Sequence, residues 1–198
     1  MTTIPGLVTP STHAEPGPVL GLRVIGLDLS LTSTGVALPD GTTYRIKTRD
    51  RDGDRRLLHI RGSIRHDLAT HRPHLAVVED LPRHAMGAGV TAMVHGVVRA
   101  ELLAAEVPYA TVVPATLKKY ATDYGNADKA RMAAAAYLAA GAEFPGDLDA
   151  KSRGGDQCDA WWLRAAGHDH YGSPLFDLPS AQRQRLSKVD WPDIDERR

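Results

Sequence analysis

Four acidic residues stand where an acid is costly or unusually paired. Asp28 ends the apolar run Val24-Ile25-Gly26-Leu27, and Glu79 ends Leu75-Ala76-Val77-Val78. A carboxylate drawn into an apolar strand is destabilising unless it meets a cation, hydrogen-bond donors or a proton. Asp156 and Asp159 open the segment GGDQCDAWWLRAAG at spacing i, i+3, which places both on one face of a helix. Each has an ordinary reading. Asp28 could hold a turn through Ser30 or Thr32, and Glu79 could mark the solvent end of a strand. Asp156 and Asp159 could serve as the N-cap and N3 residues of a helix, where the dipole favours negative charge. Taken in order along the chain, the four also supply an all-oxygen ligand set for Mg²⁺ or Mn²⁺. Two such ions roughly 4 Å apart are the usual device for phosphodiester hydrolysis, one activating water and the other stabilising the leaving oxygen.

Basic residues lie near these acids. Lys118 and Lys119, followed after a turn by Lys129 and Arg131, form a stripe suited to phosphate contacts. Arg83 and His84 follow Glu79 in DLPRHAMGAG and are candidates for a phosphate or base contact. His59, His66, His71 and His74 match no common zinc spacing and read as surface histidines. Trp161 and Trp162 read as core or dimer packing. The single Cys158 can form neither an internal disulfide nor a multi-thiolate metal site.

The elements that must position the acids follow from periodicity. RVIGLDLS, STGVALPD and TTYRIKT read as three strands of an antiparallel meander, with a turn at Asp40-Gly41. Residues 52–71 carry Leu57, Leu58, Ile60, Ile64 and Leu68 at helical spacing. HLAVVED reads as a strand covered on both faces, 87–106 as a helix and PYATVV as a fifth strand. Helices follow near 114–123, 127–140 and 156–167, with a short one near 180–188. This order predicts an α/β fold: a five-stranded mixed sheet, three antiparallel strands then parallel ones, flanked by helices. Ligand sites in such sheets gather at the carboxyl ends of strands, where Asp28 and Glu79 fall.

Residues 1–21 carry four prolines among small residues and read as a flexible leader. Residues 22–170 form the expected domain. Residues 171–198 form a C-terminal extension whose Phe176 and Trp191 should pack on the body before the end frays. An apolar fraction of 42% excludes global disorder, and no stretch approaches the ~18 apolar residues of a membrane span. The N-terminus lacks a signal-peptide pattern, so a cytoplasmic location is expected. Lys plus Arg and Asp plus Glu balance at 24 each, which gives no overall signature of a nucleic-acid partner. Locally, however, residues 43–72 hold nine Lys or Arg against four acids.

Taken together, the motifs resemble the RuvC family of Holliday-junction resolvases within the ribonuclease H-like superfamily, over roughly residues 23–168. GLDLSLTSTGVAL is similar to the family's first-strand motif, AVVEDL to its second acidic strand and DQCDAWWLRAAG to its last-helix acidic pair. VVPATLKKYATDYGNADKARM is similar to its proline, lysine and Gly-x-x-x-Lys segment, here Pro114, Lys118, Lys119, Gly125 and Lys129. The resemblance implies a metal-dependent homodimeric endonuclease that nicks two opposed strands of a four-way DNA junction, in recombination and repair. It implies Asp28, Glu79, Asp156 and Asp159 as ligands of two Mg²⁺ or Mn²⁺ ions, with Lys118 or Lys119 offsetting developing charge. DNA contacts would come from Arg83, His84, Lys118, Lys119, Lys129 and Arg131. One departure is that Pro82, Arg83 and His84 stand where relatives often carry an aromatic residue. With the extended C-terminus, this points to a bacteriophage-type relative acting on a wider range of branched DNA. Two other readings compete. An actin-like or sugar-kinase-like ATPase would need a second domain and another glycine-rich phosphate turn, and no nucleotide cofactor is expected. A non-catalytic junction-binding scaffold would have no use for all four acids.

Overall fold

The computed structural model describes residues 21–81, 88–144 and 155–194. Apart from Gly21, the expected leader lies outside them, as do the last four residues. The strands are β1 (Val24–Asp28), β2 (Ser33–Ala37), β3 (Thr43–Lys47), β4 (Leu75–Glu79) and β5 (Tyr109–Val112). They form one sheet in the order β3-β2-β1-β4-β5. β2 pairs antiparallel with β1 and β3, and β4 pairs parallel with β1 and β5, so the expected mixed sheet is the one that forms. The helices are α1 (Arg55–His71), α2 (Ala88–Ala104), α3 (Pro114–Thr122), α4 (Lys129–Ala140), α5 (Gly155–His170) and the short α6 (Ser180–Arg183). None among the described residues is long and apolar enough to cross a membrane.

Alternation along the strands divides the core in two. Ile25, Leu27, Val36, Ala76 and Val78 pack with Ile60 and Ile64 of α1 and with Val94, Val98 and Leu102 of α2. Val24, Ala37, Leu75, Val77 and Val112 face the other way, onto α3, α4 and α5. The unbroken apolar run of β4 thus has a cause, since both of its faces are covered.

The boundaries follow from local chemistry. Asp40 Oδ1 accepts from the Thr42 amide (2.8 Å) and Gly41 takes φ +95°, which closes the β2–β3 turn. α1 starts three residues later than its apolar pattern suggests, because Asp50–Asp52 wind into a 3₁₀ turn first. It ends where Arg72 turns left-handed (φ +44°) and donates to the Leu68 carbonyl, with Pro73 following. Asp128 caps α4 through the Arg131 amide (2.8 Å). α5 runs on to His170, past the expected end near 167. Gly167 lies flush on the sheet there, so that a Cβ would stand only 2.8 Å from Val24 and Val77 side-chain carbons.

Trp162 is fully buried and donates from Nε1 to the Met132 carbonyl (3.2 Å), which settles it as a core residue. Trp161 stacks on Phe176 (5.0 Å between centroids), and His170 stacks on Trp191 (4.4 Å). Arg183 pairs with Asp169 (3.1 Å) and Leu186 is buried in the same core, so residues beyond α5 pack against the sheet's helical layer.

At two strand glycines, helix meets sheet backbone on backbone. A Cβ at Gly26 of β1 would overlap the Ala160 carbonyl and stand 2.7 Å from the Arg164 amide nitrogen. A Cβ at Gly35 of β2 would overlap the Asp156 carbonyl and stand 3.1 Å from the Asp156 Cα. Because helix backbone cannot yield as a side-chain tip can, Gly26→Ala or Gly35→Ala should lower unfolding free energy in urea by about 2 kcal/mol or more. Exposed Gly62 in α1, with open space around it, is the control. Gly62→Ala should gain about 0.5–1 kcal/mol through helix propensity.

Candidate active site

Asp28 and Glu79 are the last residues of adjacent parallel strands, one step beyond the register pair Leu27 and Val78. Alternation sends them to the same face as Gly26 and Val77, the face that α5 covers. α5 lies close enough over β1 and β2 for its first turns to bring Asp156 and Asp159 to the same sheet end. The helix begins at Gly155, one residue earlier than the capping reading allows, so Asp156 sits inside the first turn and not at the N-cap.

The four carboxyls are partly accessible to water, as groups lining a cleft are, and they interact strongly. Burial drives the Asp28 carboxyl well above the usual carboxylate range, and the negative charges of Glu79, Asp159 and Asp156 push it further. Asp28 and Glu79 are within hydrogen-bonding reach, so a protonated Asp28 donates to Glu79. Glu79 is itself raised by burial, against the opposing effects of that hydrogen bond and of Lys118. Burial and then Glu79 raise Asp159 to about 7, while Lys129 and Lys118 act in the opposite direction.

The lysines separate by position. Lys129, the first residue of α4, brings Nζ to 3.5 Å from Asp156 Oδ1, and its stem fills the space beside Gly155. Lys118 is half-buried and acts on Glu79 and Asp159. Lys119 is exposed and lays its stem over Gly125, where a Cβ would stand 2.9 Å from Lys119 Cε. Arg131 sits with its guanidinium over the Tyr124 ring at 4.9 Å. Arg83 and His84 lie outside the described residues.

Hard oxygen donors that repel one another and are held partly protonated suit a divalent cation, whose charge would remove both penalties. The chemistry of the donor set therefore fits Mg²⁺ or Mn²⁺. As they stand, no three His, Cys, Asp or Glu side chains among the described residues form a ready-made cage. The histidines of α1 and its flank make none either, and His74 Nδ1 accepts from the Arg23 amide (3.1 Å).

Sequence reasoning passed over two features of the site. One is the Gly26 and Gly35 pair, although a glycine inside an apolar strand is a recognised sign of close backbone approach. The other flanks Glu79. Asp80 pairs with Arg99 (3.7 Å), whose guanidinium also lies over the Tyr109 ring, while buried His95 is pushed down to about 4 by burial and by Arg99. The i, i+4 spacing of His95 and Arg99 on a mostly apolar helix was the available signal.

The sheet order and the helices on both faces define a ribonuclease H-like α/β fold. Two solved structures share it: Thermus thermophilus RuvC in complex with a Holliday junction substrate, and the T. thermophilus RuvC structure. The first matches with a TM-score of 0.62 at 19% identity, covering 78% of this chain and 99% of that one. The second gives 0.59 at 18%, covering 84% and 96%. No family model matches the chain. Among curated proteins, the crossover junction endodeoxyribonuclease RuvC of Salinispora arenicola is 34% identical over 128 residues, which span 57% of this chain and 71% of that protein. The RuvC of Nocardia farcinica is 30% identical over 128 residues, spanning 57% and 66%. The chain belongs to the RuvC family of crossover junction endodeoxyribonucleases.

The Asp159 midpoint is directly measurable. Its folded pKa lies above its unfolded value near 4, so folding takes up a proton between the two. Metal-free stability should therefore fall as pH rises from about 4 through about 7. Carboxyl ¹³C NMR of the metal-free protein should show Asp159 titrating near 7. Lys129→Met should move that midpoint upward by about 1 pH unit, because an opposing cation has been removed.

Proposed function

We propose that this chain is a metal-dependent, structure-selective endonuclease that resolves four-way DNA junctions, and other branched DNA, by paired nicks. The observation that carries this reading is the convergence of Asp28, Glu79, Asp156 and Asp159 from β1, β4 and α5 on one sheet end, with Lys118 and Lys129 beside them. The four carboxylates are the residues that would hold two Mg²⁺ or Mn²⁺ ions. Ions so held supply an activated water and stabilise the leaving oxygen of a phosphodiester. Asp28, within hydrogen-bonding reach of Glu79 and repelled by Asp159 and Asp156, would be a ligand in common to that set. Asp159, raised to about 7 without metal, must give up its proton to serve, so metal uptake should strengthen as pH rises through about 7. Lys118 and Lys129 offset charge that develops on phosphate oxygens. Arg83 and His84, which follow Glu79 in the sequence, and Lys119 and Arg131 are further DNA contacts in this reading. The domain limits proposed are 22–170 for the nuclease and 171–198 for the extension, and the protein would act in the cytoplasm.

Two opposed nicks need two sites, and the described residues hold one such cluster, so a homodimer is part of the proposal. The outer face of α2 suits a second copy. Gly89, Met93, Gly96, Ala100 and Leu103 recur at three- and four-residue steps and are exposed.

Asp28→Asn should reduce nicking of a synthetic four-way junction in Mg²⁺ by more than about 100-fold, since even outer partners of metal ligands cost 10- to 100-fold when removed. Binding of the junction should survive. Full nicking by the variant, or by the wild type in excess chelator, would overturn the reading. In size-exclusion chromatography with light scattering the wild type should run as a dimer and Gly96→Glu as a folded monomer.

A further inference from the structure

We propose that a second, predominantly cationic site, at the carboxyl end of β3, holds the sugar-phosphate backbone of the DNA arm beside the cut; this rests on the nuclease reading above. A cleft of about 340 Å³ opens there, lined by Lys47, Arg49, Arg51, Arg55, Arg56 and His59, with Asp52 the one acid on its wall. Two of these cations are engaged. Arg56 binds Asp50 (2.7 Å) and the Gly53 carbonyl (3.0 Å), and Arg51 approaches Asp52 (4.0 Å). Lys47, Arg49 and Arg55 are exposed and have no ion pair among the described residues. Three uncompensated cations around one concavity repel each other and focus a positive potential, which a polyanion would relieve.

The β3 wall of this cleft stands at the sheet end of the candidate active site, while its α1 wall lies on the sheet face opposite α5. β1 and β3 both run antiparallel to β2, so Lys47 emerges at the same sheet end as Asp28 and Glu79. Two inter-strand steps separate β3 from β1, about 10 Å across the sheet. At about 3.4 Å per nucleotide along a duplex strand, the cleft begins about three nucleotides from the cut. The connection is rigid. Thr48, on the cleft wall, donates from its amide to the Thr32 carbonyl (3.0 Å) and from its hydroxyl to the Leu31 carbonyl, which ties the cleft to the turn directly after Asp28. The α1 N-terminus beside it contributes a dipole of the same sign. The cations differ in residue and element from the Lys118 and Lys129 pair, which faces the acids from α3 and α4.

The test compares Asp28→Asn, which binds without cutting, with the same protein carrying Lys47→Gln, Arg49→Gln and Arg55→Gln. Junction affinity is measured between 50 and 200 mM salt. Three lost phosphate contacts at about 0.9 each should flatten the slope of log affinity against log salt by about 2.7, and affinity at 50 mM should fall at least about tenfold. An unchanged slope and affinity would overturn the proposal and point to an acidic protein partner for the cleft. Position is read separately with Arg49→Cys bearing a photo-crosslinker, the native Cys158 being buried. Crosslinks about three to six nucleotides from the mapped nick are expected, and crosslinks elsewhere, or none, would overturn it. A wild type that neither binds nor nicks branched DNA would sink the nuclease reading as well. A wild type that nicks normally, paired with an unchanged salt slope, sinks the cleft alone.

Discussion

The architecture depends on one contact, the direct seating of the α5 backbone on Gly26 and Gly35. A helix normally rides on a sheet at the distance its side chains impose, near 10 Å between axes or planes. Here two strands omit the side chain at the crossing, and the helix drops to carbonyl contact with them. The consequence is chemical. Asp156 and Asp159 are short side chains, and they can share electrostatic space with Asp28 and Glu79 only because the helix that carries them is so close. Gly167 repeats the device at the far end of α5, against Val24 and Val77, so the helix is held parallel to the sheet over its length. The buried residues of α5, from Gln157 through His168, follow from the same seating.

That closeness has an electrostatic penalty, and the neighbouring elements show how it is contained. Burial and mutual repulsion favour protons on Asp28 and Asp159, and the Asp28 to Glu79 hydrogen bond shares one of them. Lys118 and Lys129 arrive from α3 and α4 and moderate the charge without neutralising it. α4 can present Lys129 at its first residue because Asp128 caps the helix and fixes where it starts. The site is thus an unstable arrangement held by a stable frame. Active sites commonly store such strain, and the surrounding packing has to overdetermine it. The aromatic cluster of Tyr120, Trp161, Trp162 and Phe176 lies under the same helices and supplies that packing.

Strand and helix positions were legible because the two faces of the sheet are both apolar and the turns carry their usual residues. The acids were legible because a carboxylate inside VIGLD or LAVVE conflicts with its own neighbourhood. Depth was not legible. Periodicity says which face of α5 is buried but nothing about how far it sinks, and the glycines that set the depth were read only as strand members. Lys118 and Lys119 looked equivalent as a pair. Neighbouring residues on a helix point about 100° apart, so one turns to the carboxylates and the other to Gly125. Lys129 looked like part of a phosphate stripe, yet the fold brings it to Asp156, a contact 27 residues away in sequence that no local pattern encodes.

The charge balance is the remaining link between composition and function. Equal totals of 24 and 24 say little, because what matters to a polyanion is which charges are already answered. Glu101 answers two of the arginines on α1, Arg61 and Arg65, and is held down at about 2 by them. Asp169 answers Arg183 and Asp123 answers Arg185, both away from the sheet end. Asp28, Glu79 and Asp159 instead crowd together at the ends of β1 and β4 and on α5. Lys47, Arg49 and Arg55, with no ion pair among the described residues, stand at the end of β3, at the same end of the sheet. Neutrality therefore conceals a dipolar edge, with an acidic cleft that only cations can relieve beside a basic cleft that only anions can. On the proposed reading, a nucleic-acid backbone arriving with divalent ions would satisfy both clefts together. Metal binding and DNA binding should then reinforce one another, since each supplies charge that the other's site lacks.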